Sequence, residues 1–202
     1  YCVMKLSHDN NIKVLMDGQG GDELFAGYHY FYGYYLRELL ITHKIRPFVN
    51  EFWKCLLKTK SVEPLKMMLF FLLPQKIQDM WIKRRGKFIN NEFFVNYIGG
   101  SRYMSQAISV KSLDNALLAH ILYKLEHLLK WEDRNSMAYS VEARLPFLDY
   151  RLVEYAFSLR PSEKINEGET KAILRKAMEG IIPSKILQRH DKLGFPTPEN
   201  DW

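Results

Sequence analysis

Ile12-Lys13-Val14-Leu15-Met16-Asp17-Gly18-Gln19-Gly20-Gly21-Asp22-Glu23-Leu24-Phe25-Ala26-Gly27 decides the fold. Four of its first five residues are apolar, two of them β-branched, which predicts a short buried strand. Gly18, Gly20 and Gly21 let the backbone turn sharply and approach a ligand closely. Asp22 and Glu23 suit the first turn of a following helix. The amides of such a strand–glycine–helix turn can cradle an anion such as phosphate. A carboxylate beside phosphate is repulsive unless a cation lies between them. Asp22 or Asp17 could give one or two oxygens to Mg²⁺, with substrate phosphates and water completing the octahedron. A glycine turn with Asp22 as helix N-cap fits the same residues, and the loop alone does not choose.

Outward from this turn the chain reads as helical. Residues 1–10 close one helix, residues 28–60 are aromatic-rich and helical, and residues 64–73 form an apolar helix opened by Pro64. A break is expected at Gly99-Gly100-Ser101. Residues 112–130 carry Leu113, Leu117, Ile121, Leu125 and Leu129 at every fourth position, with Leu118, Leu122 and Leu128 widening the stripe. Shorter helices are expected over 151–159 and over 169–179, the latter stopped by Gly180 with Pro183 beyond. The fragment is therefore expected to be mostly α-helical, with one or two strands.

The 202 residues are 47% hydrophobic and 26% charged, which excludes disorder and allows one sizeable core. The longest apolar run, Met67 to Leu73, is too short for a membrane span of about 20 residues. Cys2 and Cys55 make no disulfide framework and no metal-type spacing, so a reducing cytoplasm is expected. The chain starts Tyr1-Cys2-Val3 without an initiator Met, and is expected to be an internal piece of a longer protein. Its net charge of +6 is uneven: residues 37–102 hold +8, the remainder −2. A basic helical module binding nucleic acid or a protein is one reading. A solvated helix face fits better, since no stacking or recognition motif accompanies the charge.

Two further stretches carry chemistry. In Trp131 to Asp149, the charges Asp133, Arg134, Glu142, Arg144 and Asp149 stand singly among apolar residues, a pattern expected of buried, paired charges. In Gly168-Glu169-Thr170-Lys171, Lys171 is expected in the first turn of a helix. Its charge there opposes the helix dipole unless an anion such as phosphate is bound. A solvent-facing lysine is the plainer alternative.

Taken together, these stretches resemble the synthetase domain of glutamine-hydrolysing asparagine synthetases. The family's glycine loop matches Asp17 to Glu23, continued by Leu24-Phe25-Ala26-Gly27-Tyr28. Its central motif matches Asp133-Arg134 and Val141-Glu142-Ala143-Arg144-Leu145-Pro146-Phe147-Leu148-Asp149, its lysine motif Lys171-Ala172-Ile173-Leu174-Arg175. Lys192 to Pro198 has the family's look as well. The resemblance implies an α/β parent fold of adenine-nucleotide α-hydrolase type, a parallel sheet with helices. It implies ATP and Mg²⁺, and aspartate adenylated to β-aspartyl-AMP, then amidated by ammonia from glutamine. Asp17, Gly18, Gly20 and Gly21 fall on ATP contacts, Asp22 on a Mg²⁺ ligand and Lys171 on the pyrophosphate lysine. Glu142 falls on a carboxylate near the reaction centre.

There are two departures: Asp17 stands where many members have Ser, and Gln19 where many have Glu. Gln19 cannot act as a base, though it can orient a nucleophile. A related amide-forming enzyme with another acceptor therefore stays open. Residues 1–202 would be the C-terminal part of the domain, lacking the upstream pyrophosphate loop and the N-terminal glutaminase domain that would be its partner. A homodimer is also left open.

Overall fold

The computed structural model describes residues 1–59, 62–85, 90–97 and 110–189. Helix α1 (Cys2–Asp9) leads to strand β1 (Val14–Met16), the glycine turn and α2 (Gly21–Leu24). Three longer helices follow: α3 (His29–Ile41), α4 (Ile45–Thr59) and α5 (Glu63–Leu72). Then come α6 (Gln75–Arg85) and α7 (Asn91–Tyr97). The break expected at Gly99-Gly100-Ser101 and the stretch Lys192 to Pro198 lie outside the described residues.

The four-residue leucine stripe forms α8 (Leu113–His120), which Ser112 caps by accepting from the Asn115 amide. A π-helical turn, Ile121–Leu125, joins it to α9 (Glu126–Met137). Leu113, Leu117 and Leu125 are buried. Leu118 and Leu122, expected to widen the stripe, are exposed at 43% and 52%. They project beyond the face that meets α3. Past α9 lie strand β2 (Glu142–Arg144), α10 (Tyr150–Ser158) and α11 (Pro161–Lys164). The remainder is a hairpin of β3 (Ile165–Asn166) and β4 (Glu169–Thr170), then α12 (Ala172–Ala177) and α13 (Ser184–Leu187).

β1 pairs in parallel with β2, Val14 opposite Glu142 and Met16 opposite Arg144. The strand was expected to be buried, yet Val14 and Met16 are 40% and 75% exposed. They share a face with Glu142 and Arg144 that no described element covers, while Leu15 and Ala143 turn inward. The antiparallel hairpin, Ile165 opposite Thr170, adds a second strand pair. Among the described residues the strands thus number four, against the one or two expected.

Two apolar clusters hold these elements. The larger centres on α3, where Phe31, Tyr32, Tyr34, Leu36 and Leu39 meet Phe71 of α5 and Leu113 and Leu117 of α8. The smaller gathers Leu24 and Phe25 after the glycine turn with Ala156 and Leu159. Ile121, Phe147, Ile173 and Leu174 pack against it. It brings the turn, the central motif and α12 to one place.

Candidate functional site

The glycine turn sits at the carboxyl end of β1. The Asp17 amide donates to the Arg144 carbonyl at 2.9 Å, carrying the parallel pairing one residue past the strand. The Asp17 carboxylate accepts from the Gly18 amide, and the Gly21 amide donates to the Gly18 carbonyl at 3.2 Å. Gly20 is the residue that caps α2, in the left-handed region at φ +88°. A side chain there would be strained and would strike Leu148. The N-cap reading of Asp22 is thereby corrected: Gly20 holds that position, and no side chain caps the helix.

The Asp22 carboxylate instead meets Lys171, Oδ1 to Nζ at 2.8 Å, across 149 residues of sequence. Gly27 makes room for the pair, since a Cβ there would overlap both the Asp22 carboxylate and Lys171 Cε. The two side chains keep 26% and 30% of their surface exposed, so a ligand can reach them. Lys171 does not lie in a first helical turn as expected. Glu169–Thr170 are strand, and Lys171 stands just ahead of α12 at φ 56°, its amide donating to the Phe25 carbonyl at 3.1 Å. Non-glycine residues seldom adopt this conformation. Here the Phe25 bond and the apolar cluster behind it hold the ammonium toward the turn. The counter-charge that a lysine ahead of a helix requires comes, in this structure, from Asp22.

The structure does not bring Glu142 to this pair. Its amide donates to the Lys13 carbonyl at 2.8 Å, so it lies at the far end of the strand pair from the turn. It is exposed, and its Oε1 is 2.8 Å from Arg144 Nε. The expectation of buried charges in the central motif is likewise corrected. Asp133, Arg134, Glu142 and Arg144 are exposed, because α9 and β2 turn them outward. Asp149 caps α10 and binds Arg151, whose hydrogen bonds hold the carboxyl at about 2.

Two acidic residues have surroundings that the sequence did not show: Glu23, expected only as a first-turn residue of the helix, and Glu132. Glu23 is buried and accepts from the Tyr28 hydroxyl at 2.9 Å, fastening the turn to the start of α3. Glu132 is half-buried, with its Oε1 buried. Burial, and then the Asp17 carboxylate, push its carboxyl up. Its signal was present: Leu128, Glu132 and Ser136 are spaced by four, placing Glu132 on the inward face of α9.

No group of three or more His, Cys, Asp or Glu gathers to hold a metal among the described residues. A lone carboxylate at Asp22 still fits Mg²⁺, which is commonly held by one or two carboxylates together with substrate phosphates. No described helix is long and apolar enough to cross a membrane.

Comparison with known proteins shows the family of the chain. The sequence profile of the family "asparagine synthase" matches residues 1–202. Asparagine synthetase [glutamine-hydrolyzing] 1 of Bacillus subtilis is 30% identical over 95% of this chain, which spans 32% of that relative's length. A second B. subtilis protein, asparagine synthetase [glutamine-hydrolyzing] 3, is 46% identical over 35% of the chain and 11% of its own length. The human asparagine synthetase [glutamine-hydrolyzing] is 37% identical over 35% of the chain and 14% of its own. No solved structure gives a significant match. The match covers the chain from residue 1 to residue 202, and the chain belongs to the asparagine synthase family.

Proposed function

We propose that this chain forms part of an enzyme that converts aspartate to asparagine through β-aspartyl-AMP, using ATP and ammonia released from glutamine. The observation that carries the reading is the Asp22–Lys171 pair at the glycine turn. A carboxylate and an ammonium from distant segments meet beside the glycine turn, within reach of a ligand. Support also comes from the names of the relatives, which are glutamine-hydrolysing synthetases.

In this reading an oxygen of the aspartate side chain attacks the α-phosphorus of ATP and pyrophosphate leaves. Asp17, Gly18, Gly20 and Gly21 line the nucleotide, the glycines leaving room for its close approach. Lys171 neutralises charge that grows on the departing pyrophosphate. Asp22 is the residue that would hold Mg²⁺, whose chemistry is to neutralise phosphate oxygens. Gln19 orients the amine, and ammonia then displaces AMP. Glu142 acts near the reaction centre only if that centre extends along the uncovered face of β2. The pyrophosphate loop and the glutaminase domain belong to the remainder of the enzyme, for which a cytoplasmic setting is proposed.

The test is aspartate-dependent ATP–pyrophosphate exchange by the full-length protein, together with formation of AMP and asparagine from aspartate, ATP and glutamine. Exchange that needs aspartate is the expected result. Its absence, or exchange driven by another carboxylic acid alone, would overturn the reading.

A further inference from the structure

Lys171 presents its ammonium to Asp22 from a backbone at φ 56°, which a lysine seldom adopts. Such a conformation persists only where the surroundings over-determine it. Here one residue, Arg175, grips the backbone on both sides of the Lys171 α-carbon. Its guanidinium Nε donates to the Thr170 carbonyl at 3.1 Å, and its amide donates to the Lys171 carbonyl at 2.9 Å. The peptide before Lys171 is also held at its other end, where the Lys171 amide donates to the Phe25 carbonyl. The two peptide planes whose relative rotation sets φ and ψ at Lys171 are thus both fixed. The rest of the guanidinium reaches the end of α13 and the residues after it. Nη1 donates to the Leu187 carbonyl, and Nη2 to the Arg189 carbonyl at 3.0 Å. Three carbonyls suit the rigid planar fork of arginine, and the single ammonium of a lysine cannot reproduce that arrangement.

We propose that Arg175 is a positioning residue: it locks the left-handed backbone at Lys171, so that the ammonium stays aimed at a ligand beside the glycine turn. The proposal rests on the acyl-adenylate reading and deepens its first step. In that step an aspartate carboxylate oxygen bonds to the α-phosphorus of ATP, and the bond from that phosphorus to pyrophosphate breaks. Pyrophosphate leaves with the electron pair, and Lys171 keeps its proton while it neutralises the growing charge. Arg175 touches none of the reacting atoms. It acts through Lys171, whose placement matters because a displacement of about 1 Å lowers a rate roughly 100-fold. Without the guanidinium, the backbone at Lys171 relaxes toward a commoner conformation and the ammonium swings off the turn.

The experiment is a double-mutant cycle in the full-length protein, with Arg175→Lys and Arg175→Gln each made alone and in the Lys171→Ala background. The thermal midpoint is measured, with kcat and the KM for ATP in aspartate-dependent ATP–pyrophosphate exchange. With Lys171 present, either substitution should lower kcat by about tenfold or more, with the KM for ATP within about threefold. In the Lys171→Ala background the same substitutions should change the residual exchange by less than about twofold, because no ammonium is left to aim. A residue that only braced the fold would lower exchange equally in both backgrounds, and that result overturns the proposal. So do unchanged exchange in both Arg175 variants, normal exchange in Lys171→Ala, and loss of folded protein in both Arg175 variants. Absence of exchange in the unsubstituted protein would overturn the acyl-adenylate reading and this inference with it. Exchange in the unsubstituted protein with equal losses in the two backgrounds overturns this inference alone.

Discussion

At the scale of single residues, the paired charges separate roles that a sequence cannot. Asp22→Asn removes no helix cap, because Gly20 occupies that position. It weakens a half-exposed ion pair, which is worth about 1 kcal/mol or less. The substitution should therefore leave the thermal midpoint of the full-length protein nearly unchanged. It should sharply lower adenylation and raise the Mg²⁺ concentration needed for half-maximal rate. An unaltered Mg²⁺ dependence would remove the metal from this carboxylate. Lys171→Ala deletes a charge-assisted contact that matters most in the transition state, a loss of roughly 3 kcal/mol or about 100-fold in ATP–pyrophosphate exchange. Normal exchange in that variant would return Lys171 to a structural partner of Asp22. Both residues were singled out in the sequence, since each stands in a recognisable motif. Their contact was not, because it depends on the Phe25–Lys171 backbone bond between segments far apart in the chain.

Among the elements, legibility follows how local the determining interaction is. The leucine stripe over 113–129 and the glycine turn are written in consecutive residues, and both appear where the sequence places them. The parallel pairing of residues 14–16 with 142–144 is set by distant neighbours, so nothing near Glu142 announces a strand. The hairpin of β3 and β4 has two-residue strands, too short to show a period, and it displaced the helix expected from Glu169. The π turn after α8 is equally silent in the sequence, yet it has a measurable neighbour in His120. That imidazole is buried, bonded to the Ala116 carbonyl at 2.7 Å and packed on the Tyr30 and Phe31 rings. Burial, with a smaller contribution from Lys124, pushes it down to about 4. The unfolded chain holds this proton more tightly, so the contribution of neutral His120 is complete above about pH 6.5 and is lost as pH falls toward 4. The full span amounts to about 3 kcal/mol. Urea denaturation between pH 4 and 7 should show this slope, and His120→Phe should flatten it. An unchanged slope in the variant would place the acid sensitivity elsewhere.

Across the whole molecule, polar anchors fasten the later hairpin and α11 to the helices around α3. Glu51 of α4 accepts from the Tyr32 hydroxyl and from the amides of Glu167 and Gly168, the latter two at 2.9 and 3.2 Å. Lys164 of α11 is fully buried, with Nζ 2.8 Å from Asp114 in the first turn of α8 and 5.3 Å from the Phe157 ring centre. Asp114 itself keeps 39% of its side-chain surface exposed. The two partners are therefore unequal, and removing either one should have unequal cost. Asp114→Ala leaves a cation in the interior with its counter-ion gone, a loss of about 3–5 kcal/mol for a buried pair. Lys164→Met fills nearly the same volume without charge, and water can solvate the Asp114 carboxylate that remains. That variant should stay within about 1 kcal/mol of the parent. Combining the two substitutions should recover most of the stability lost in Asp114→Ala, because the stranded cation is gone. Urea unfolding of all three variants at neutral pH measures the difference directly. Equal losses in the two single variants would show that the ion pair itself, and not the burial of Lys164, governs how firmly α11 is held against α8.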